Sequence, residues 1–79
     1  MDKKKLASSM RRTPKQARSQ ERVDRILKTA EKLFITKGYA VTTTNEIATE
    51  AKVSIGSLYQ FFPDKVSILF ALVWRYGDL

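Results

Sequence analysis

The chain has neither cysteine nor histidine, and only three glycines and two prolines in 79 residues. Without cysteine there can be no disulfide, thiolate metal site or thiol nucleophile; without histidine the commonest general base and metal ligand is missing as well. A reducing, cytoplasmic compartment fits this composition. The glycines stand far apart, at 38, 56 and 77, so they build no phosphate-binding glycine loop. The Ser-Ile-Gly-Ser run at 54–57 is no nucleophile elbow, because no histidine exists to serve it. No catalytic activity, cofactor or metal is therefore expected. No run approaches the ~18 apolar residues of a membrane span, and the short KKKLASSM stretch lacks the sustained apolar face of a transit peptide. So short a chain has room for one core.

What the chain does have is positive charge, unevenly placed. Residues 1–20 carry seven Lys or Arg against Asp2 alone, which is +6 of the net +7. The first 18 residues mix charge, serine and Pro14 without periodicity and are expected to form a disordered basic arm, with an ordered domain over 19–79. Such an arm suits a polyanion, whose condensed counterions it releases on binding. A solvated tail that serves only solubility is the alternative.

From residue 19 the pattern is helical. Ser19 can cap a first helix whose Val23, Ile26, Leu27, Ala30, Leu33 and Phe34 recur at three- and four-residue steps, and Gly38 suits its C-terminal end. Thr43 or Thr44 can cap a second helix of about two turns, with Ile47, Ala48 and Ala51 inward and Glu46 in its first turn. Ser54 can cap a third helix over Ile55 to Phe62, which Pro63 ends. Asp64 can cap a fourth helix running from Lys65. The fold class expected is all-α, a small helical bundle.

Two short helices joined by so tight a turn cross steeply, the geometry of a helix-turn-helix. In that motif the second helix enters the major groove of duplex DNA with its N-terminal residues at base edges. Leu58 and Phe62, four apart, hold this helix to the core and leave Ile55, Gly56, Ser57 and Gln60 toward the groove. A glutamine amide can pair with adenine, and small residues let the backbone come close.

The stretch KGYAVTTTNEIATEAKVSIGSLYQFFPDKVSIL closely resembles the DNA-binding domain of TetR-family transcriptional regulators. The likeness lies in the glycine-aromatic pair after helix one, the paired threonines, the Ile-Ala pair, Val-Ser-x-Gly, Leu-Tyr, Phe and Lys at the same intervals. It covers roughly residues 19–75 and implies a homeodomain-like, TetR-type bundle. It implies that Thr44 donates to a phosphate, with Thr43 and Asn45 beside it, and that Ser54, Ile55, Gly56, Ser57 and Gln60 line the groove. By the same likeness Tyr59 reaches a phosphate through its hydroxyl and Lys65 anchors another. Apart from the resemblance, the threonines could be caps only, and Tyr59 could be a core aromatic with a wet hydroxyl. At Lys52 the family usually has glycine; a left-handed lysine there costs about 1 kcal/mol.

The resemblance further implies a repressor that occupies a palindromic operator as a homodimer and answers a small-molecule effector. Both properties would reside in a C-terminal ligand-binding and dimerisation domain that these residues do not include. The apolar residues of helix four, from Val66 to Tyr76, spread far wider than one stripe, which fits a missing partner on one side. A basic amphipathic module that binds a membrane surface or a protein partner is the rival reading; against it stand two short capped helices at helix-turn-helix spacing.

Overall fold

The computed structural model describes residues 14–76, which fold into four helices: α1 (Pro14–Thr36), α2 (Thr44–Ala51), α3 (Ile55–Phe61) and α4 (Lys65–Tyr76). The fold is all-α, as expected, and no helix among the described residues is long and apolar enough to cross a membrane. The first thirteen residues of the expected arm lie outside the described residues. The boundary at Ser19 is corrected: α1 runs from Pro14, and Ser19 lies inside it rather than capping it. Proline's fixed φ suits a first helical turn, and Lys15, Gln16, Ala17 and Arg18 are all good helix formers. Pairs at four-residue spacing reinforce this first half, Gln20 donating to Asp24 at 3.0 Å and Arg25 to Glu21 at 2.9 Å.

α1 is the platform. It packs against both α2 and α4, while α2 also packs against α3. Ile26, Leu27, Ala30 and Leu33 of α1 meet Ile47, Ala48 and Ala51 of α2, Leu58 of α3, Phe62, and Ile68 and Leu72 of α4 in one buried cluster. Val23 and Phe34 are only partly buried at its edge. Each large aliphatic side chain buried here contributes roughly 1.5–3 kcal/mol. An ion pair of 2.5 Å between Arg75 and Asp24 fastens the far end of α4 to α1.

The helix ends follow from local chemistry. Gly38 closes α1 at φ +103°, a conformation that strains any L side chain, with its N–H donating to the Leu33 carbonyl. Thr43, not Thr44, caps α2, and it does so through a full capping box. Its Oγ1 accepts from the Glu46 N–H at 3.0 Å while its own N–H donates to Glu46 Oε1 at 3.0 Å. α2 ends in a Schellman arrangement, Val53 N–H to Ala48 carbonyl and Lys52 N–H to Thr49 carbonyl, with Lys52 left-handed at φ 62° and ψ 42°. Lysine thus stands where glycine is favoured, at the expected cost of about 1 kcal/mol. Ser54 caps α3 through the Ser57 N–H at 3.0 Å, and α3 stops at Phe61, Phe62 being already extended. Asp64 caps α4 by accepting from the Ser67 N–H at 2.8 Å and hydroxyl at 2.9 Å, bonds that hold its carboxyl below the usual aspartate range.

Candidate nucleic-acid interface

Only Lys52, Val53 and Ser54 separate α2 from α3, and small Ala48 is buried where the two helices meet. This is the helix-turn-helix that the tight spacing requires. Leu58 is fully buried and anchors α3 from one side. On the opposite side Gly56, Tyr59 and Gln60 fall at i, i+3 and i+4 and form one exposed face. Ser57 is half-buried at its border. Ile55, expected to point outward, is also half-buried and packs against the core cluster, so it divides its surface between the two.

Gly56 is conspicuous within this face. A Cβ built there would meet only Ser54 Oγ, at 3.9 Å, and its φ is not positive. Neither packing nor backbone conformation within the chain therefore calls for glycine, although glycine inside a helix costs roughly 0.5–1 kcal/mol relative to alanine. Ser54 is exposed, and its Oγ is occupied as an acceptor by the cap, which leaves its O–H free to donate outward.

Beside this face lies a second group of polar atoms. Thr44 Oγ1 and the Tyr59 hydroxyl are hydrogen-bonded at 2.9 Å, across the crossing of α2 and α3. Tyr59 is 46% exposed, which settles it as a surface residue and not a core aromatic. Both side chains line an open hollow of about 340 Å³, together with Ala40, Thr42, Thr43, Pro63, Asp64 and Lys65. The paired Thr44 and Tyr59 hydroxyls at this opening can donate to a phosphate, while the Asp64 carboxylate on its rim is taken up by Ser67.

Lys65 does not hold its ammonium out into that opening. Its Nζ donates to the carbonyls of Tyr39 at 2.7 Å, Thr42 at 3.0 Å and Ala40 at 3.3 Å, and sits 4.3 Å from the centre of the Tyr39 ring. Those three bonds use all three of its protons. Tyr39 in turn meets Phe34 edge-to-face at 5.0 Å. Thr42, the one buried polar residue among those described, donates from Oγ1 to the Gly38 carbonyl at 2.8 Å. Neither Tyr39, noted in the sequence only as the aromatic after Gly38, nor Thr42 is among the site residues expected from sequence, and both brace this side of the motif.

Asn45 stands apart from the other sequence-selected residues. It is exposed and lines a different hollow with Leu33, Lys37, Glu46, Thr49 and Glu50. Two of those neighbours are carboxylates. Glu46 pairs with Lys37, and this pairing, followed by the Thr43 backbone N–H, holds its carboxyl below the usual glutamate range. Glu50 lies 3.9 Å from Lys32. The structure thus brings Thr43, Thr44, Tyr59 and Lys65 around one opening, gathers Gly56, Gln60 and Ser57 on the adjoining face, and leaves Asn45 on a separate flank whose two carboxylates are paired with lysines. No group of three or more metal-ligating side chains occurs among the described residues.

A family model described as bacterial regulatory proteins, tetR family, matches residues 26–72. The chain is similar to the HTH-type transcriptional regulator HbdR of Aromatoleum sp. (strain CIB), 53% identical over 51 residues that make up 65% of this chain and 22% of the relative. It is also similar to two uncharacterized HTH-type transcriptional regulators of Bacillus subtilis (strain 168). With YuxN it is 45% identical over 53 residues, 67% of this chain and 18% of the relative. With YvkB it is 43% identical over 54 residues, 68% of this chain and 29% of the relative. The chain spans less than a third of the length of each of these relatives.

Proposed function

Because the chain belongs to the TetR family of bacterial regulatory proteins, we propose that it is the DNA-reading part of a cytoplasmic transcriptional repressor that occupies a palindromic operator. The observation that carries this reading is the exposed Gly56–Tyr59–Gln60 face directly opposite the fully buried Leu58. One side of α3 is committed to the core, and the other is exposed, with the Tyr59 hydroxyl tied to Thr44 and Gly56 and Gln60 open to a partner. With α3 in the major groove, the Gln60 amide reads a base edge, and Gly56 and Ser57 allow the helix backbone to approach, with Ser54 and the outer part of Ile55 at the rim. Thr44 and Tyr59 take a phosphate through their paired hydroxyls, with Thr43 beside them and Lys65 supplying positive potential. Asn45 meets the backbone only at the edge of the footprint, since it lines a hollow separate from that of Thr44 and Tyr59.

One such helix reads few base pairs, so operator specificity requires two copies in successive half-sites. The face of α4 that carries Val66, Phe70 and Trp74, exposed by 47%, 67% and 87%, supports a further packed domain there. That domain would dimerise the regulator and bind its small-molecule effector. The basic residues of 1–13 add sequence-independent phosphate contacts.

Selection of duplexes from a random pool with a dimerised form of the chain would supply a preferred site, on which two variants divide the roles. Gln60→Ala is expected to lose ~1–3 kcal/mol of preference at particular base pairs. Tyr59→Phe is expected to weaken preferred and scrambled duplexes alike. Equal losses for Gln60→Ala on both duplexes would remove it as a base reader.

A further inference from the structure

A cation in the first turn of a helix is electrostatically misplaced, because the exposed N–H groups there already carry positive charge. Lys65 is nonetheless the first residue of α4, and its ammonium turns back to three carbonyls of residues 39–42, more than twenty positions earlier in the chain. Those carbonyls belong to the connection between α1 and α2. Its far end, Thr42, is followed at once by the cap Thr43 and then by Thr44, whose hydroxyl meets Tyr59. Three elements converge here: the connection that sets where α2 starts, the start of α4, and the hydroxyl pair that bridges α2 and α3.

We infer that Lys65 is a positioning residue: by fastening the 39–42 backbone to the start of α4, it sets Thr43 and Thr44 against Tyr59 and so shapes the phosphate opening. This role rests on the DNA-binding reading for its consequence, but its geometric half concerns the free protein alone. The ammonium suits the task because its three protons diverge toward three acceptors around one point. A guanidinium is planar, and directs its five N–H groups in a fixed fork that cannot converge on carbonyls arranged in this way. The Tyr39 ring holds the cation from a further side, and Phe34 holds the ring. Thr42 Oγ1 fixes the same connection from within through Gly38, so Lys65 completes an arrangement whose inner half is already tied.

The test separates positioning from a charge that simply touches DNA. Lys65→Met removes the ammonium and keeps most of the stem; Lys65→Arg keeps the charge and loses the converging geometry. In the free chain, both variants are expected to speed amide hydrogen exchange at residues 42–47 while leaving α1 and α3 protected. Unchanged exchange at those amides would overturn the inference, whatever the binding result. On a duplex, with folded protein, both variants are expected to bind ~10-fold or more weakly than the unaltered chain. Thr44→Val added to Lys65→Met should cost little beyond Lys65→Met alone, because the hydroxyl would already be out of place. Binding by Lys65→Arg equal to that of the unaltered chain would overturn the inference in favour of charge alone. Losses that multiply in the double variant would overturn it too, by showing that Lys65 and Thr44 act separately. If the unaltered chain retained no duplex even at low salt while exchange responded as expected, the DNA-binding reading would fail and the positioning of Thr43 and Thr44 would stand.

Discussion

The two helices of the motif are nearly equal in length, eight residues in α2 and seven in α3, yet the protein holds them very differently. α2 buries Ile47, Ala48 and Ala51, begins with a reciprocal capping box and ends in a Schellman arrangement. α3 buries Leu58 alone, begins with a single capping bond and contains a glycine. Helices of about two turns are unstable by themselves, so each exists only as far as the surrounding structure supports it. α2 is supported on all counts and works as a fixture. α3 has one fully buried anchor, Leu58, with Ile55 and Phe61 only partly packed against the core, and it turns Gly56, Tyr59 and Gln60 outward. A helix that must fit into a groove needs one firm anchor and an unobstructed outer face, and extra burial would consume the residues that do the reading.

The sharpest way to break this contrast is to remove the anchor. Leu58→Ala is expected to cost ~2–5 kcal/mol, measured by urea or thermal unfolding, because no other side chain of α3 is fully buried. In a domain of this size that is a large part of the total stability. Thr43→Ala should cost less, ~0.5–2 kcal/mol, because α2 keeps its three buried residues when its cap is lost. The same cap carries a pH signature. The Glu46 carboxyl is depressed in the folded state by Lys37 and by the Thr43 N–H, so its stabilisation is present at neutral pH and is lost as pH falls through its lowered folded value. Asp64 adds loss in the same direction. Glu46→Gln should remove the Glu46 part of this acid sensitivity, read as a shallower fall of melting temperature on acidification. The smallest expected effect sharpens the contrast best: Gly56→Ala should stabilise the free chain by ~0.5–1 kcal/mol, because the methyl group meets only Ser54 Oγ at an ordinary contact distance of 3.9 Å, and still weaken duplex binding by standing in the outer face. If Gly56→Ala left duplex affinity unchanged, close approach at that position would be ruled out.

Much of this fold is written in local sequence. The apolar spacing from Ile26 to Leu33, the inward trio of α2 and the Leu58–Phe62 pair all occupy the places their periodicity implies. The caps Thr43, Ser54 and Asp64 are likewise visible from residue type and position, although neighbouring threonines left Thr43 and Thr44 indistinguishable until Glu46 chose between them. Pro14 misled, because a proline amid charged residues resembles linker when it can equally start a helix. Lys65 is the clearest case of information that sequence does not hold. A lysine at a helix start resembles an anion ligand, and its carbonyl partners lie far back in the chain, where no spacing rule reaches. Asn45 was similarly placed by its neighbours in sequence, while its surroundings are decided by the carboxylates of its own helix.

Trp74, 87% exposed on α4, is the chain's one tryptophan, and it stands outside both the core and the motif. Its indole is already in water in the folded state, so its fluorescence should change little when the domain unfolds. Helicity is the sounder measure of folding. The same exposure makes the indole an optical reporter of a different event: a polypeptide that covers the outer face of α4 would shift its emission toward the blue and shield it from soluble quenchers. The chain therefore carries a built-in signal for the assembly of this domain with whatever packs on that face, and the signal is silent to the folding of the domain itself.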